Sequence, residues 1–120
     1  MRILVVDDSK AMRMIVIRTL RQSGVDITEI QEAADGAEGL AQVASFGPNL
    51  ILSDWNMPNK SGMEFLTELR ASADTTPFGF VTSESNPAMR EQALAAGAQF
   101  LLTKPFDGER FAEVIGSMVA

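Results

Sequence analysis

Leu50-Ile51-Leu52-Ser53-Asp54-Trp55-Asn56-Met57-Pro58 decides how this chain is read. A short apolar run ends on a carboxylate, and a turn follows at once. Asn49-Leu50-Ile51-Leu52 predicts a strand buried on both faces, as inner strands of parallel sheets are. Asp54 then stands at the strand's C-terminal end, where open α/β sheets form their ligand crevice. Taken alone, an aspartate before a loop is ordinary turn chemistry. The rest of the chain decides between a turn residue and a reactive one.

Toward the N-terminus, Arg2-Ile3-Leu4-Val5-Val6 is β-rich and stops at Asp7-Asp8. Ser9 is a natural N-cap for a helix whose Met12, Ile15, Val16, Thr19 and Leu20 form one buried stripe, ended by Gly24. Ile27 to Ala33 is a weaker strand with mixed polar residues, as suits a sheet edge. Asp35 caps a second helix, with Glu38 placed as in a capping box and Leu40, Val43 and Ala44 facing inward. Gly47-Pro48 breaks the chain before the opening stretch.

Toward the C-terminus, the loop from Pro58 to Gly62 leads into Ser61-Gly62-Met63-Glu64, a capping-box match that starts a helix with Phe65, Leu66 and Leu69 inward. Phe78 to Val81 is a fourth strand with Thr82 at its end, and Gly79 inside it signals close packing against a neighbour. Asn86-Pro87 opens an alanine-rich helix that runs to Ala96 and stops at Gly97. Gln99 to Thr103 is a fifth strand, ending at Lys104-Pro105. Asp107 caps a last helix with Phe111, Val114, Ile115 and Met118 in its stripe. The methionines Met12, Met63 and Met118 read as core filler. Five strand–helix units in alternation predict an α/β fold, a parallel sheet with helices on both faces and right-handed crossovers. Residues 1–120 are expected to form a single domain with no output domain attached.

Composition removes several function classes. The 120 residues are 46 % hydrophobic and 22 % charged, as in a globular domain. There is no cysteine, so disulfide and thiol chemistry are excluded. There is no histidine, so the commonest general base and zinc ligand are absent, and with them any Ser-His-Asp hydrolase. A net charge of −6 repels nucleic acid and anionic lipid, so neither is an expected partner. No apolar run approaches the ~20 residues of a membrane span, and the N-terminus is too short in apolar residues for a signal peptide. A cytoplasmic location is expected.

The strand ends supply the chemistry. Asp7 and Asp8 end strand 1, Asp54 follows strand 3, Thr82 ends strand 4 and Lys104 follows strand 5. In a doubly wound sheet these residues converge on one rim. Three carboxylates that close together need a proton or a cation among them. Oxygen ligands without histidine or cysteine select a hard ion, Mg²⁺ or Mn²⁺. Lys104 adds a point charge suited to a phosphoryl oxygen, and Thr82 a hydroxyl. Such a set fits phosphoryl transfer, with Asp54 as nucleophile.

With these residues in place, the chain resembles the response-regulator receiver domains of two-component signalling, and among them the single-domain chemotaxis type. The resemblance covers essentially the whole chain. It is carried by Val5-Val6-Asp7-Asp8-Ser9, Asp54-Trp55-Asn56-Met57-Pro58, Val81-Thr82-Ser83-Glu84, Gly97-Ala98 and Thr103-Lys104-Pro105-Phe106. It implies a flavodoxin-like five-stranded sheet of order 2-1-3-4-5. It implies Asp54 as phosphoacceptor and a metal site of Asp7, Asp8, Asp54 and the Asn56 backbone carbonyl. Thr82 matches the switch hydroxyl and Lys104 the phosphate-sensing lysine. The family's Lys-Pro bond, here Lys104-Pro105, is usually cis. The implied partners are a histidine kinase or histidine phosphotransfer protein and a downstream target protein bound through the helix 4/strand 5/helix 5 surface. A monomer is expected, and self-catalysed phosphorylation and dephosphorylation in place of enzymatic turnover.

One position departs from the family pattern. The aromatic residue usual three places before the lysine is Leu101 here, and strand alternation aims Phe100 at the opposite face. Asn56 and Glu84, each two places beyond a site residue, match positions that tune hydrolysis of the phosphoryl group. In helix 1, Met14 and Ile17 lie opposite the expected core stripe among Arg13, Arg18 and Arg21, a candidate docking patch for the kinase or phosphotransfer helix. Within the family, a phosphorelay intermediate or a phosphate sink are alternative roles. Outside it, the rivals are an aspartyl-phosphate phosphatase, a flavin-binding electron carrier and a phosphorylation-independent scaffold. The phosphatase lacks a second carboxylate at Asn56, and the flavin carrier lacks a glycine- and hydroxyl-rich phosphate cradle after strand 1.

Overall fold

A computed structural model describes residues 1–104 and 107–119. Each apolar run forms a strand and each capped segment a helix. The order is β1 (Arg2–Val6), α1 (Lys10–Gln22), β2 (Glu29–Ala33), α2 (Gly36–Phe46), β3 (Leu50–Ser53), α3 (Gly62–Ala71), β4 (Phe78–Thr82), α4 (Pro87–Ala95), β5 (Phe100–Thr103) and α5 (Gly108–Val119). All four strand pairs are parallel, in the order β2-β1-β3-β4-β5. The chain steps outward from β1 to β2, then returns to the other side of β1 with β3. A crevice opens at such a reversal, beyond the C-terminal strand ends.

Strand alternation divides the core into two layers. Leu4, Val6, Ile51, Phe78, Phe80 and Leu101 face one way, against Phe65, Leu66 and Leu69 of α3 and Ala93 of α4. Ile3, Val5, Leu50, Leu52, Val81, Phe100 and Leu102 face the other, against Val16 and Leu20 of α1 and Phe111 and Ile115 of α5. Gly79 and Phe100 are cross-strand partners, and a Cβ on Gly79 would lie 2.2 Å from the Phe100 ring. The close approach expected at Gly79 is therefore to an aromatic ring that fills the space a side chain would take.

The N-caps form as the sequence anticipates, though the box expected at Asp35 is one-sided, with the Glu38 N–H bonding Asp35 and no return bond from the Glu38 side chain. Ser9, Asp35, Ser61 and Asn86 each accept a backbone N–H three residues on, and Asp107 accepts that of Arg110. At Ser61 the box is reciprocal, with Glu64 bonding back to the Ser61 N–H.

Three further expectations are corrected. Regular pairing of β2 starts at Glu29 and not Ile27, because Thr28 N–H bonds instead to the Met1 carbonyl. In α1, Ile15 is 46 % exposed while Ile17 is half-buried against the second core layer, so Ile17 does not lie opposite the core. The inward face is centred on Val16 and Leu20 and leans toward the flank of Arg13 and Ile17, where Arg13 is drawn to the sheet edge. In α2, Leu40 and Val43 pack inward but Ala44 is exposed. That helix sits close through Gly36 and Gly39. A Cβ on Gly39 would lie 2.9 Å from the Phe65 ring, so the glycines, not Ala44, mark its inward face. Met63 packs against the first layer and Met12 is half-buried. The Lys104-Pro105 bond and the Met118 side chain lie outside the described residues.

Candidate functional site

The strand ends bring three carboxylates together. Asp7 N–H extends the ladder to the Ala33 carbonyl at 3.1 Å, and Asp54 N–H bonds the Val6 carbonyl at 2.9 Å, so both backbones are fixed by the sheet. One carboxylate oxygen from each of Asp7, Asp8 and Asp54 lies within 4.8 Å of the others. Asp7 is buried, Asp54 half-buried and Asp8 exposed. Lys104 follows β5 and its backbone N–H bonds the Thr82 carbonyl at 2.8 Å. Its Nζ lies 3.4 Å from Asp7 Oδ2 and 3.9 Å from Asp54 Oδ2.

One ammonium thus pairs with two of the three clustered carboxylates, and negative charge remains in excess. Burial pushes the Asp54 carboxyl above the ordinary carboxylate range; Lys104 pulls it back, while Asp7 and Asp8 push it further up. The excess charge and the all-oxygen donor set fit a hard divalent cation held by Asp7, Asp8 and Asp54.

The loop after Asp54 is tied at several points. Asp54 Oδ1 accepts the Trp55 N–H at 2.7 Å, and the Trp55 carbonyl accepts the Gly62 N–H at 2.9 Å. Gly62 admits no side chain, since its Cβ would lie 2.1 Å from the Asp54 carbonyl oxygen. Asn59 takes a left-handed φ of 64° and donates its side-chain amide to Asp35 Oδ2 at 2.8 Å. Gly36 N–H bonds the Lys60 carbonyl at 3.1 Å, and Lys60 Nζ pairs with Glu68. The Asn59 amide, with the Glu38 N–H, holds the buried Asp35 carboxyl below its usual range. Asn56 is exposed in this loop.

On the other side of the site, Thr82 is 1 % exposed and its Oγ1 accepts the Glu84 N–H at 3.4 Å. Glu84 is exposed, and the Ser85 hydroxyl bonds that of Thr103. Leu101 is fully buried in the first core layer, paired across the strands with Phe80. The Phe80 ring packs at a tilt against Trp55, the residue after Asp54, with ring centroids 4.8 Å apart. Phe100 points to the other layer, as alternation requires. Away from the rim, Met14, 53 % exposed, lines a shallow groove with Ile17, Arg18, Arg21 and Gln22.

Two features of the site have no counterpart in the sequence reading. Arg13 Nη1 donates to the Asp7 backbone carbonyl at 2.5 Å and its Nε to Glu32 Oε1 at 2.8 Å. The Asn59–Asp35 bond joins two loops. Neither follows a local spacing rule, and only the left-handed preference of asparagine hints at Asn59.

The chain matches the family model described as the response regulator receiver domain over residues 3–116. It is 38 % identical over 106 residues to the response regulator MprA of Mycobacterium avium, covering 88 % of this chain and 45 % of that protein. The chain therefore spans less than half the length of the curated relatives it matches. It superposes on the chemotaxis response regulator CheY4 of Vibrio cholerae with a TM-score of 0.82 at 35 % identity, covering 97 % of this chain and 96 % of that one. For the response regulator domain of Thermotoga maritima CheB the TM-score is 0.84 at 30 % identity, covering 100 % and 97 %. The aspartate-lined crevice thus sits in the fold that these regulators share, and the chain belongs to the response regulator receiver domain family.

Proposed function

We propose that the chain accepts a phosphoryl group on Asp54 from the phosphohistidine of a kinase or phosphotransfer protein. The observation that carries this reading is the meeting of Asp7, Asp8 and Asp54 with the Lys104 ammonium at the switch point of the sheet. An Asp54 carboxylate oxygen forms a bond to phosphorus as the phosphorus–nitrogen bond to histidine breaks, leaving an acyl phosphate. Asp7, Asp8, Asp54 and the Asn56 carbonyl would hold Mg²⁺, which supplies charge neutralisation on the phosphoryl oxygens. Lys104 then exchanges its carboxylate contacts for a phosphoryl oxygen, and the Thr82 hydroxyl turns toward the same group. That exchange favours one of two arrangements of the α4–β5–α5 surface and so changes which target protein binds. Leu101, buried and aliphatic, reads the change by packing against Phe80 and not by an aromatic swing. Asn56 and Glu84, both exposed, border the path of the attacking water and set the lifetime of the acyl phosphate. The Met14–Ile17 groove, flanked by Arg18 and Arg21, receives the kinase or phosphotransfer helix.

Trp55 is the sole tryptophan and its N–H bonds Asp54, so its fluorescence tests the reading. Mg²⁺ should change the emission, and acetyl phosphate or beryllofluoride should change it again. Asp54→Asn should abolish the second change. Silence toward both ligands would overturn the proposal.

A further inference from the structure

We propose that Arg13 is the positioning residue for the acidic pair, fixing the Asp7–Asp8 peptide from which the carboxylates of a divalent-cation site project. This rests on the phosphoacceptor reading above. Arg13 lies in the first turns of α1, and its side chain is only 14 % exposed. Its Nη1 reaches the Asp7 backbone carbonyl at 2.5 Å and its Nε reaches Glu32 Oε1 at 2.8 Å. Glu32 belongs to β2 and is in register with Val5 of β1. One side chain therefore binds α1, the end of β1 and the edge strand together.

The atom chosen on Asp7 is what matters. The carbonyl that Arg13 holds is part of the peptide between Asp7 and Asp8, so Arg13 sets the plane from which Asp8 departs. The Asp7 carboxylate is held separately, by the Ser9 N–H at 2.9 Å and by Lys104. A guanidinium paired directly with one of the carboxylates would compete with a cation for its lone pairs. Bound to the neutral backbone carbonyl, the guanidinium takes no lone pair from the carboxylates of Asp7, Asp8 or Asp54. Glu32 absorbs part of its charge and fixes its fork. An ammonium cannot reproduce this, because it offers a point charge and not two donors in a rigid plane. Groups that orient metal ligands without touching the metal typically set affinity by 10–100-fold.

The test uses the full chain with Arg13→Met, Arg13→Lys and Glu32→Gln. Mg²⁺ is titrated by Trp55 fluorescence, and the initial rate of Asp54 labelling by acetyl phosphate is measured across Mg²⁺ concentrations. Arg13→Met should raise the half-saturating Mg²⁺ about tenfold, with Arg13→Lys and Glu32→Gln between it and wild type. The shortfall in labelling rate should close as Mg²⁺ saturates. An unchanged half-saturation point in Arg13→Met would overturn the proposal. So would a labelling deficit of equal size at every Mg²⁺ concentration, which marks a general structural loss. If Arg13→Met does not fold, Arg13→Lys and Glu32→Gln decide: wild-type Mg²⁺ affinity in both overturns the proposal. Absence of any Mg²⁺ response or Asp54 labelling in the wild type would instead overturn the phosphoacceptor reading, and this inference with it.

Discussion

Helices α3 and α4 pack on the same layer of the sheet, yet they are held in different ways. Helix α3 buries Gly62, Phe65, Leu66 and Leu69, whereas α4 buries Ala93 alone and leaves Leu94 49 % exposed. The segment entering α3 is tied by the Asn59–Asp35, Gly36–Lys60 and Gly62–Trp55 bonds. The segment entering α4, residues 83–86, is exposed throughout, held by the long Glu84–Thr82 bond and the Ser85–Thr103 hydroxyl pair. At its far end α4 is gripped from α3: Arg70 donates to the Gly97 carbonyl at 2.8 Å and to the Asp74 carbonyl at 2.9 Å. The free-energy cost of moving a helix follows the apolar surface it must expose. Helix α3 is therefore the fixed wall behind Asp54, and α4 is a helix anchored at its C-terminal end and lightly held elsewhere. On the proposed function, the phosphoryl group acts between a part that stays and a part that shifts.

The contrast can be broken most directly by stability. Phe65→Ala in α3 should cost about 3–5 kcal/mol by urea denaturation. Ala93→Gly in α4 should cost about 2 kcal/mol, the helix-propensity loss plus one buried methyl. Equal losses would remove the distinction. Hydrogen exchange sharpens it next. Amides of α4 should exchange through local openings well below the global unfolding free energy, and those of α3 only through global unfolding. Protection of α4 equal to that of α3 would show two equally fixed helices.

The smallest effect concerns the entry to α3. Asp35→Ala removes an N-cap and the partner of Asn59, and should cost about 1 kcal/mol at neutral pH. The folded-state pKa of Asp35 lies below its unfolded value of about 3.9. The contribution of the charged form is thus complete above that value and is lost as pH falls through it toward the folded pKa. The deficit of Asp35→Ala should narrow in acid below about pH 4. A deficit that is the same at both pH values would assign the effect to the cap alone and not to charge.

Much of this was legible in the sequence because the signals are local. A serine, aspartate or asparagine cap bonds an N–H only three residues away, so Ser9, Ser61 and Asn86 identify helix starts without tertiary knowledge. The meeting of Asp7, Asp8, Asp54 and Lys104 was also legible, since a parallel sheet places every strand end on one rim. What was not legible depends on distant partners. The inward flank of α1 is set by Arg13 reaching Glu32, 19 residues on, so apolar spacing misassigned Ile15 and Ile17. Helix α2 approaches α3 through Gly39 and the loop before α3 through Gly36, and a pattern of apolar side chains cannot register residues that have none, so apolar spacing points to Ala44 instead. The Asn59–Asp35 bond spans 24 residues and depends on a loop conformation that no spacing rule specifies.

The pairing of Gly79 with Phe100 has a consequence for descent. The two residues share one volume, and the ring now occupies nearly all of it. A lineage passing through this sequence cannot enlarge residue 79 until residue 100 has become smaller. Once it has, growth at 79 fills the vacancy and closes the route back. The order of substitutions at these two sites is therefore constrained, and a change accepted readily in one relative would be rejected in another that differs from it only at the partner position.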